Sequence, residues 1–500
     1  MRIGCFYAVL AICFFQTLKA NNDTLRIAKE YIQQRKYNKA EKMLRAFEQN
    51  HPNDLNVLWL YGQTAYWNGH MKTFNKVYNK AIMRFPSNYY LKLDYAIKLG
   101  EIGNINKAAS LLAEYFKYDK TGADVKLLSA KLAYWHNDYQ SALHHLDAES
   151  VKEQKPQEAQ QLREEILTAQ SFWIKAGADY LADDQPLQQL IPHLEAGKSF
   201  NEFFSPSISI QNPFFKTNTT SVQGIKLDMG NKFNLNKIRL RIAVNAGFVR
   251  LPNKTNEVCG GVELVKTSFN YLQLTAIAAR QPYLSTISSV YNTVIPFHYE
   301  LNVALNNQNF WNGKMVSSFD QFNNDKNYVY NVGFWFFSPP LKLNPLQLRI
   351  GYSYGYASSK ENRYTSKESL AAIVAMYSSG KAIEGVYQPY FTPFNQQTHS
   401  ALLNLSFKPT KKLEVGANAS IAFAGNLDNP YLFLDKNSTN ELFINKGYSN
   451  INFYPNKIET FLLCKFTKKM SVKANYTFFK NAFYTSQLIG ASVILNFWNE

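Results

Sequence analysis

The residues that could do chemistry in this chain are few, and they do not form a familiar catalytic arrangement. His298 with Glu300, and His399 with Ser400, place an imidazole near a carboxylate or a hydroxyl, as hydrolytic sites do. Neither pair lies in a nucleophile motif such as G-x-S-x-G, and the chain has no phosphate-binding glycine loop or dinucleotide fingerprint. The spacing of the histidines does not bring three metal ligands together. We therefore predict no catalytic residue, no metal site and no cofactor.

Arginine side chains are stronger candidates for a binding role. Arg239, Arg241 and Arg349 each alternate with apolar residues along the sequence. In a strand such residues point away from the apolar face, so in a barrel they would face the lumen. We predict that they favour anionic or strongly hydrated solutes there. The alternative is that the basic residues lie in exposed loops or at a rim near anionic headgroups.

Aromatic rings in a proline-bounded segment form a second candidate. Pro389 and Pro393 fix local backbone angles and remove hydrogen-bond donors, so this segment is not a central strand. Tyr387, Tyr390 and Phe391 could form a platform on which sugar rings stack, inside or beside a lumen. The alternative is a packed loop that plugs or braces a barrel.

The elements that would position these residues change type near residue 171. From there on, apolar and polar residues alternate, as in 346–356, 413–423 and 489–497. The polar positions carry Arg, Asn, Ser and Gly, which is typical of a wet lumen rather than of a soluble sandwich. At roughly twenty residues per strand and turn, residues 171–500 predict a transmembrane antiparallel β-barrel of about sixteen strands.

Before residue 171 the sequence repeats every thirty-four residues. The repeat positions, where paired helices would pack, are Ala28, Gly62, Ala96 and Ala130, and, twelve residues further on, Ala40, Phe74, Ala108 and Ala142. Pro52 and Pro86 follow the same interval. The pattern resembles the tetratricopeptide repeat, a helical hairpin that stacks into a solenoid. The resemblance implies that residues 21–170 are an α-helical domain that binds a protein partner.

Targeting and composition set the compartment. Residues 1–20 have the positive start and short apolar stretch of a signal peptide. After its removal only Cys259 and Cys464 remain, which predicts isolated thiols rather than a disulfide framework. We expect residues 21–170 in the periplasm and the barrel in outer-membrane lipid. Although the pI is about 9.3, nucleic acid is not an expected partner for an exported barrel.

The stretch 385–396, which precedes a strand-like segment at 401–408, resembles a motif of known outer-membrane barrels. An aromatic residue followed by Ser or Thr and Pro recurs in the C-terminal barrels of bacterial exopolysaccharide-export porins, those for cellulose and poly-N-acetylglucosamine. It also recurs in the smaller YaiO-type barrels. In both groups tetratricopeptide repeats precede the barrel, so the resemblance covers both domains in architecture and mainly residues 387–424 in sequence.

The resemblance implies export or passage of a polysaccharide or another hydrated polymer through a partner-docked pore. The chain departs from the exporters in having four repeats, a helical insert at 367–379 and two polar residues after its last aromatic pair. Two alternatives stay open. The barrel could be a closed scaffold that uses its repeats for protein–protein interaction, or, less favoured, a lipid-modifying hydrolase of the outer membrane.

Overall fold

The computed structural model describes residues 22–498 except 185–186, 236–237, 253–254, 269–271, 307–309, 344, 378–382 and 411. The predicted signal peptide, 1–20, lies outside the described residues. The chain divides into two compact units. The first is helical and runs through Arg163, and the second continues from Glu164 and also includes 136–139.

The helical part is a series of short antiparallel helices. Its elements are α1 (Asn22–Gln33), α2 (Tyr37–Asn50), α3 (Leu55–Trp67), α4 (Met71–Arg84), α5 (Tyr89–Glu101), α6 (Ile105–Tyr115), α7 (Ala123–Trp135), α8 (Tyr139–Leu146), α9 (Glu149–Gln154) and α10 (Pro156–Ala169). Asp54 and Asn88, thirty-four residues apart, cap α3 and α5 by accepting hydrogen bonds from backbone N–H groups of the first turn. The repeated prolines each lie two residues before a cap. The thirty-four-residue period in the sequence therefore marks where equivalent helices begin.

All eight repeat positions are buried. Gly62 shows why one of them is so small, because a Cβ there would lie 2.7 Å from the Tyr78 ring on the next helix. Phe74 is large at a position where the other repeats carry alanine, and its ring packs against Tyr78 and Tyr95. No helix among the described residues is both long and apolar enough to cross a membrane.

The second unit is built on one large antiparallel sheet. Its sixteen main strands are β1 (Phe172–Asp183), β2 (Gln188–Lys198), β3 (Pro206–Gln211), β6 (Ile225–Leu235), β7 (Leu240–Arg250), β8 (Asn256–Ser268), β9 (Leu272–Arg280), β10 (Phe297–Leu305), β11 (Asn312–Phe322), β12 (Asn327–Phe337), β14 (Leu346–Ser359), β17 (Gln396–Thr410), β18 (Leu413–Lys436), β20 (Asn456–Lys465), β21 (Met470–Lys480) and β22 (Thr485–Phe497). Shorter elements decorate their connections: β4 (Phe214–Lys216), β5 (Ser221–Gln223), α11 (Ile287–Tyr291), β13 (Leu341–Leu343), β15 (Tyr364–Ser366), α12 (Leu370–Tyr377), β16 (Gly385–Tyr387) and β19 (Leu442–Asn452).

The sheet closes on itself. Strand β1 pairs with β22 over its whole length, from Phe172 opposite Phe497 to Asp183 opposite Ser486. Closure removes the unpaired strand edges that a bilayer core would not tolerate. The predicted arrangement, a helical repeat domain followed by an antiparallel barrel of about sixteen strands, is confirmed.

The two faces of the barrel differ as the alternation predicts. Leu301 on β10, Met315 on β11 and Phe334 on β12 lie on one side of the sheet and are 56%, 54% and 41% exposed. Their neighbours in sequence, such as Asn302, lie on the other side and are buried or half-buried. Large apolar side chains exposed on alternate positions of successive strands form an outer surface that suits lipid.

The two ends of the barrel also differ. At the end where β1 begins and β22 ends, which we call the terminal end, connections are short: β17 ends at Thr410 and β18 begins at Leu413. At the opposite end, the loop end, 281–296 joins β9 to β10 and 360–395 joins β14 to β17. Strand β18 also continues past the barrel at the loop end, where its outer half pairs with β19.

Candidate functional site: the barrel lumen and its cap

The lumen wall carries a row of polar side chains in direct cross-strand register. Arg349 on β14 lies opposite Asn404 on β17, which lies opposite Asn418 on β18. Asn418 in turn faces Glu459 on β20, and Glu459 faces Thr477 on β21. We call these five residues the polar row. Directly opposed residues lie about 5 Å apart, so the row is continuous across five strands.

Part of the polar row borders a cavity of ≈ 500 Å³ on the wall. The cavity also includes Trp335 and Phe337 of β12, whose rings lie 5.5 Å apart in a T-shaped pair. Arg349 is only 9% exposed, and its guanidinium donates to the Phe310 carbonyl at 3.4 Å. Asn404 donates its side-chain amide to Asn418 at 2.6 Å. Aromatic faces and amide groups therefore converge on one stretch of wall.

Charges on the lumen wall are mostly balanced by neighbours. The pairs are Lys175–Glu195 at 3.7 Å, Lys226–Asp228 at 3.1 Å, Arg241–Glu263 at 3.2 Å, Lys408–Glu414 at 3.0 Å and Lys457–Glu459 at 2.5 Å. The basic residues were visible in the sequence, but their partners were not singled out. Three partners lie on the neighbouring strand, where register decides the contact, and two, Asp228 and Glu459, lie two residues away on the same strand. The anion preference expected from the sequence stays a prediction, on a wall that is less basic than the arginines alone suggest.

The three predicted arginines have different environments. Arg239 is not in a strand; it lies in the turn between β6 and β7 with φ +51°, so the prediction that it faces the lumen from a strand was wrong. Strand β7 begins at Leu240 because Arg239 belongs to the turn. Arg241 and Arg349 lie on the lumen face, at the terminal half of β7 and β14.

The loop 281–296 folds over one half of the loop end. Val290 of α11 is fully buried in an apolar cluster with Leu187, Phe215 and Leu251, which come from three other connections. Gln189 on β2 donates its side-chain amide to the Leu284 carbonyl at 2.9 Å. Because β2 lies five strands from β9, this loop reaches well across the mouth rather than along its rim.

The described residues of the loop 360–395, which are 360–377 and 383–395, contact several connections at the loop end, and Phe391 shows how far they reach. Its backbone N–H donates to the Tyr283 hydroxyl in the β9–β10 loop at 3.3 Å. Its ring lies 5.2 Å from Phe483 in the β21–β22 connection. Counting round the barrel, β9 is the seventh main strand and β21 the fifteenth, so 15 − 7 = 8 strands separate the two connections. Half of sixteen is eight, so one residue contacts two connections that start on opposite sides of the barrel.

We call the loop 281–296 and the described residues of the loop 360–395, 360–377 and 383–395, together the cap. A polar cluster at Asp325, in the β11–β12 connection, holds the cap in place. Tyr390 donates its hydroxyl to the Asp325 carboxylate at 2.6 Å, and the Arg363 guanidinium lies 3.0 Å from the same carboxylate oxygen. The Tyr390 ring stacks on Phe322 at 3.5 Å. Thr286 in the other loop of the cap donates its hydroxyl to the Pro389 carbonyl at 2.5 Å.

The three rings of the predicted aromatic platform are therefore mostly packed against other residues of the cap and the loop end. Tyr390 is 1% exposed, so it is not available to stack on a sugar, and its selection as a lumen ligand was wrong. Tyr387 and Phe391 are half-buried and contact each other and Phe483. The packed-loop alternative describes this segment. Burial also raises the pKa of the neighbouring Tyr283 to about 12, since the charged phenolate would lose its solvation there.

The two histidine pairs considered for catalysis lie in different surroundings. His298 faces the lumen, with its Nδ1 2.7 Å from Asp320 and its Nε2 3.5 Å from Glu300. His399 faces outward, and its Nδ1 lies 2.7 Å from the Tyr352 hydroxyl among aromatic rings of the outer surface. Its neighbour Ser400 is buried and points to the other face of the strand. His399 and Ser400 therefore cannot act on one bond together.

In the helical unit, two clusters were not anticipated from the sequence. Asp94 on α5 accepts hydrogen bonds from Trp59 at 2.5 Å and from the Tyr78 hydroxyl, and pairs with Lys98 at 2.9 Å. Tyr90 and Tyr118 are 58% and 54% exposed, with ring centroids 5.7 Å apart. The first cluster ties three helices together, whereas the second leaves aromatic surface exposed.

No protein-family model and no curated protein matches the sequence. Solved structures share limited similarity with parts of it. A bacterial polysaccharide outer membrane secretin covers 66% of this chain and 99% of its own, with 8% identity and a TM-score of 0.47. A loop-deletion mutant of OmpT, an outer membrane protein of Vibrio cholerae, covers 65% of this chain and 98% of its own, with 9% identity and a TM-score of 0.33.

For the helical part, Pseudomonas aeruginosa pilF is similar over 30% of this chain and 68% of its own, with 16% identity and a TM-score of 0.27. At these TM-scores none of the similar structures defines the fold, which follows from the chain's own strand register and helix packing. On that evidence the protein combines stacked helical hairpins with a closed sixteen-strand barrel that has an apolar exterior, a polar lumen and a two-loop cap.

Proposed function

We propose that the protein is a gated outer-membrane conduit for a hydrated polymer, a polysaccharide, and that its helical repeats dock a periplasmic or inner-membrane protein. The observation that carries the proposal is a polar lumen wall inside a closed barrel, beneath a cap built from two loops rather than from barrel strands. A loop cap can move while the strand ladder stays intact. The sequence resemblance to exopolysaccharide-export porins and YaiO-type barrels supports the same reading.

The cap is attached in a way that permits opening. Its central contacts are a carboxylate, a hydroxyl and a guanidinium at Asp325, together with stacked rings, and each of these can exchange its partner for water or another surface. The lumen beneath offers amide, hydroxyl and paired charged groups that can replace water around a passing polymer. We propose that the barrel itself performs no catalysis.

A closed scaffold is the second candidate, and the cap is the observation that favours it. In that case the barrel would anchor the helical repeats in the outer membrane and pass nothing. The two functions differ in what happens when the cap is loosened, so one experiment separates them.

The experiment is planar-bilayer recording of the full chain and of cap variants. We expect the unaltered protein to conduct weakly, and Asp325→Ala or deletion of 367–384 to raise the conductance several-fold, because the lumen is then open at the loop end. Asp124→Ala is the matched control, since Asp124 lies in the helical unit and pairs with Lys155 rather than with the cap. Variants that insert and still conduct nothing would support the scaffold instead.

A further inference from the structure

Two aromatic rings on the lumen wall pack against glycines of the neighbouring strands. A Cβ on Gly416 of β18 would lie 2.2 Å from two ring atoms of Phe461 on β20. A Cβ on Gly351 of β14 would lie 2.2 Å from the Phe336 carbonyl oxygen and 2.8 Å from one atom of the Phe337 ring. A larger residue at Gly416 would displace the Phe461 ring, whereas at Gly351 it would meet the backbone of β12 before the Phe337 ring. Both rings therefore lie on the lumen face next to a glycine of the neighbouring strand.

The polar row lies between these two rings. Phe337 is in register with Gly351, two residues from Arg349 toward the loop end. Phe461 is in register with Gly416, two residues from Glu459 toward the terminal end. From the strand spacing and the rise per residue, Gly351 and Gly416 are about 15 Å apart. A ring, a row of hydrogen-bonding groups and a second ring thus follow one another along the wall.

This sequence of groups matches the two kinds of surface on a sugar ring. The C–H face of a pyranose packs on an aromatic face, and its equatorial hydroxyls need donors and acceptors at the edge. Asn404, Asn418 and Glu459 supply both donors and acceptors there. The cavities along this stretch are lined by three cations, Arg349, Lys457 and Lys473, and one carboxylate, Glu459. That balance favours neutral or acidic sugars over cationic ones.

We propose that Trp335, Phe337, Phe461 and the polar row form a binding track for a neutral or anionic saccharide chain on the lumen wall. This inference rests on the proposed function and adds the residues that bind the polysaccharide and the charge that they favour. The track holds successive sugar units by stacking and by hydrogen bonds that exchange from one unit to the next. Such shallow, repeated sites slow a chain without trapping it, as conduction requires.

The test is isothermal titration of the purified full chain, in a detergent without a sugar headgroup, with three hexasaccharides. Cellohexaose is neutral, hexagalacturonate is anionic and chitosan hexamer is cationic. The same titrations are made on Asp325→Ala, so that a closed cap does not hide the track. We expect binding of the first two probes and at least tenfold weaker binding of the cationic one.

Variants locate the site. We expect Phe461→Ala and Trp335→Ala each to weaken cellohexaose binding by about tenfold, as for central aromatic contacts in other interfaces. Phe334→Ala is the matched control, because Phe334 is a neighbour on β12 that faces outward and is 41% exposed. Heat-modifiable migration on a gel shows that each variant is folded.

No binding by either the full chain or Asp325→Ala would overturn the track. So would binding that Phe461→Ala and Trp335→Ala leave unchanged, or a preference for the cationic hexamer. If cap variants conduct ions yet no saccharide binds, the conduit stands and the track fails. If saccharides bind but no variant conducts, the track stands and the conduit fails.

Discussion

Asp94 illustrates how much a single side chain decides in the helical unit. Its carboxylate is 19% exposed and joins α3, α4 and α5 through Trp59, Tyr78 and Lys98. Burial by itself would raise the pKa of Asp94, but the Lys98 charge and the hydrogen bonds from Tyr78 and Trp59 hold it below its ordinary value. The Asp94 carboxylate is therefore charged at neutral pH and has hydrogen-bond and ion-pair partners on all three helices.

We predict that Asp94→Ala lowers the free energy of unfolding of the helical unit by about 2–4 kcal/mol, because buried donors lose their acceptor. Asp94→Asn keeps part of the network and costs less. Asp124→Ala is the control: Asp124 is 55% exposed, and its pair with Lys155 at 3.2 Å contributes less than about 1 kcal/mol. Thermal melts of the full chain, followed by the helical circular dichroism signal, measure the difference.

The pH dependence follows from the direction of the Asp94 pKa. A carboxyl whose pKa is lower in the folded state contributes its stability fully above its unfolded pKa of about 3.9, and loses it as the pH falls through the folded pKa. The advantage of the unaltered chain over Asp94→Asn should thus be full at pH 7 and shrink below about pH 4. An advantage that does not change with pH would contradict the assigned role.

At the scale of elements, the β18–β19 extension has a separate task from the barrel. The barrel part of β18, from Leu413 to Ile421, pairs with β20, whereas Asn426–Lys436 pairs with β19 beyond it. The extension contacts the cap: Tyr448 stacks on Phe394 at 4.8 Å, and Lys446 donates to the Asn362 carbonyl at 2.7 Å. The extension therefore supports one side of the cap from beyond the loop end of the barrel.

We predict that replacing 429–449 with Asn-Gly leaves the barrel closed but loosens the cap. Asp428 and Asn450 lie directly opposite each other, so a two-residue turn can join them. Heat-modifiable migration should be retained, because no barrel pairing is lost. Trypsin cleavage after Arg363 or Lys367 should become on the order of tenfold faster, since local opening costs less. Unchanged cleavage would show that the extension does not brace the cap.

At the scale of the whole molecule, the proposed function assigns membrane anchoring to the barrel and partner recognition to the helical unit. The barrel exterior suits lipid, and the helical unit carries the exposed Tyr90 and Tyr118 pair. Exposed, closely spaced aromatic rings on a repeat surface are typical of protein interfaces. The proposal that the repeats dock a partner can therefore be tested at two residues without disturbing the solenoid core.

We predict that the full chain fractionates with the outer membrane and crosslinks to a periplasmic or inner-membrane protein. Tyr90→Ser with Tyr118→Ser should reduce the crosslinked yield about tenfold without releasing the chain from the membrane, because both rings lie outside the core. Met83→Ser is the control, since Met83 is 76% exposed elsewhere on the repeats. A chain recovered in the soluble periplasmic fraction would contradict the membrane assignment, and an unchanged yield would contradict the docking surface.

The sequence by itself determined the two architectures and the change between them. The packing of paired helices depends on residues thirty-four apart, and the face to which a strand residue points depends on alternation. Both patterns can therefore be read from short stretches of the sequence. Alternation also placed Arg241 and Arg349 on the lumen face. It misplaced Arg239, because a turn ends the alternation without changing the residue types on either side of it.

Only the tertiary structure decided what those faces contain. The partner of Arg241 is Glu263 on the next strand, and the polar row joins residues from β14 to β21, which are set by register. The cap likewise depends on Phe391 meeting Tyr283 and Phe483, each about a hundred residues away along the chain. Period-two alternation is a local property. Register and the closing of a barrel mouth are contacts between distant segments, which no local pattern records.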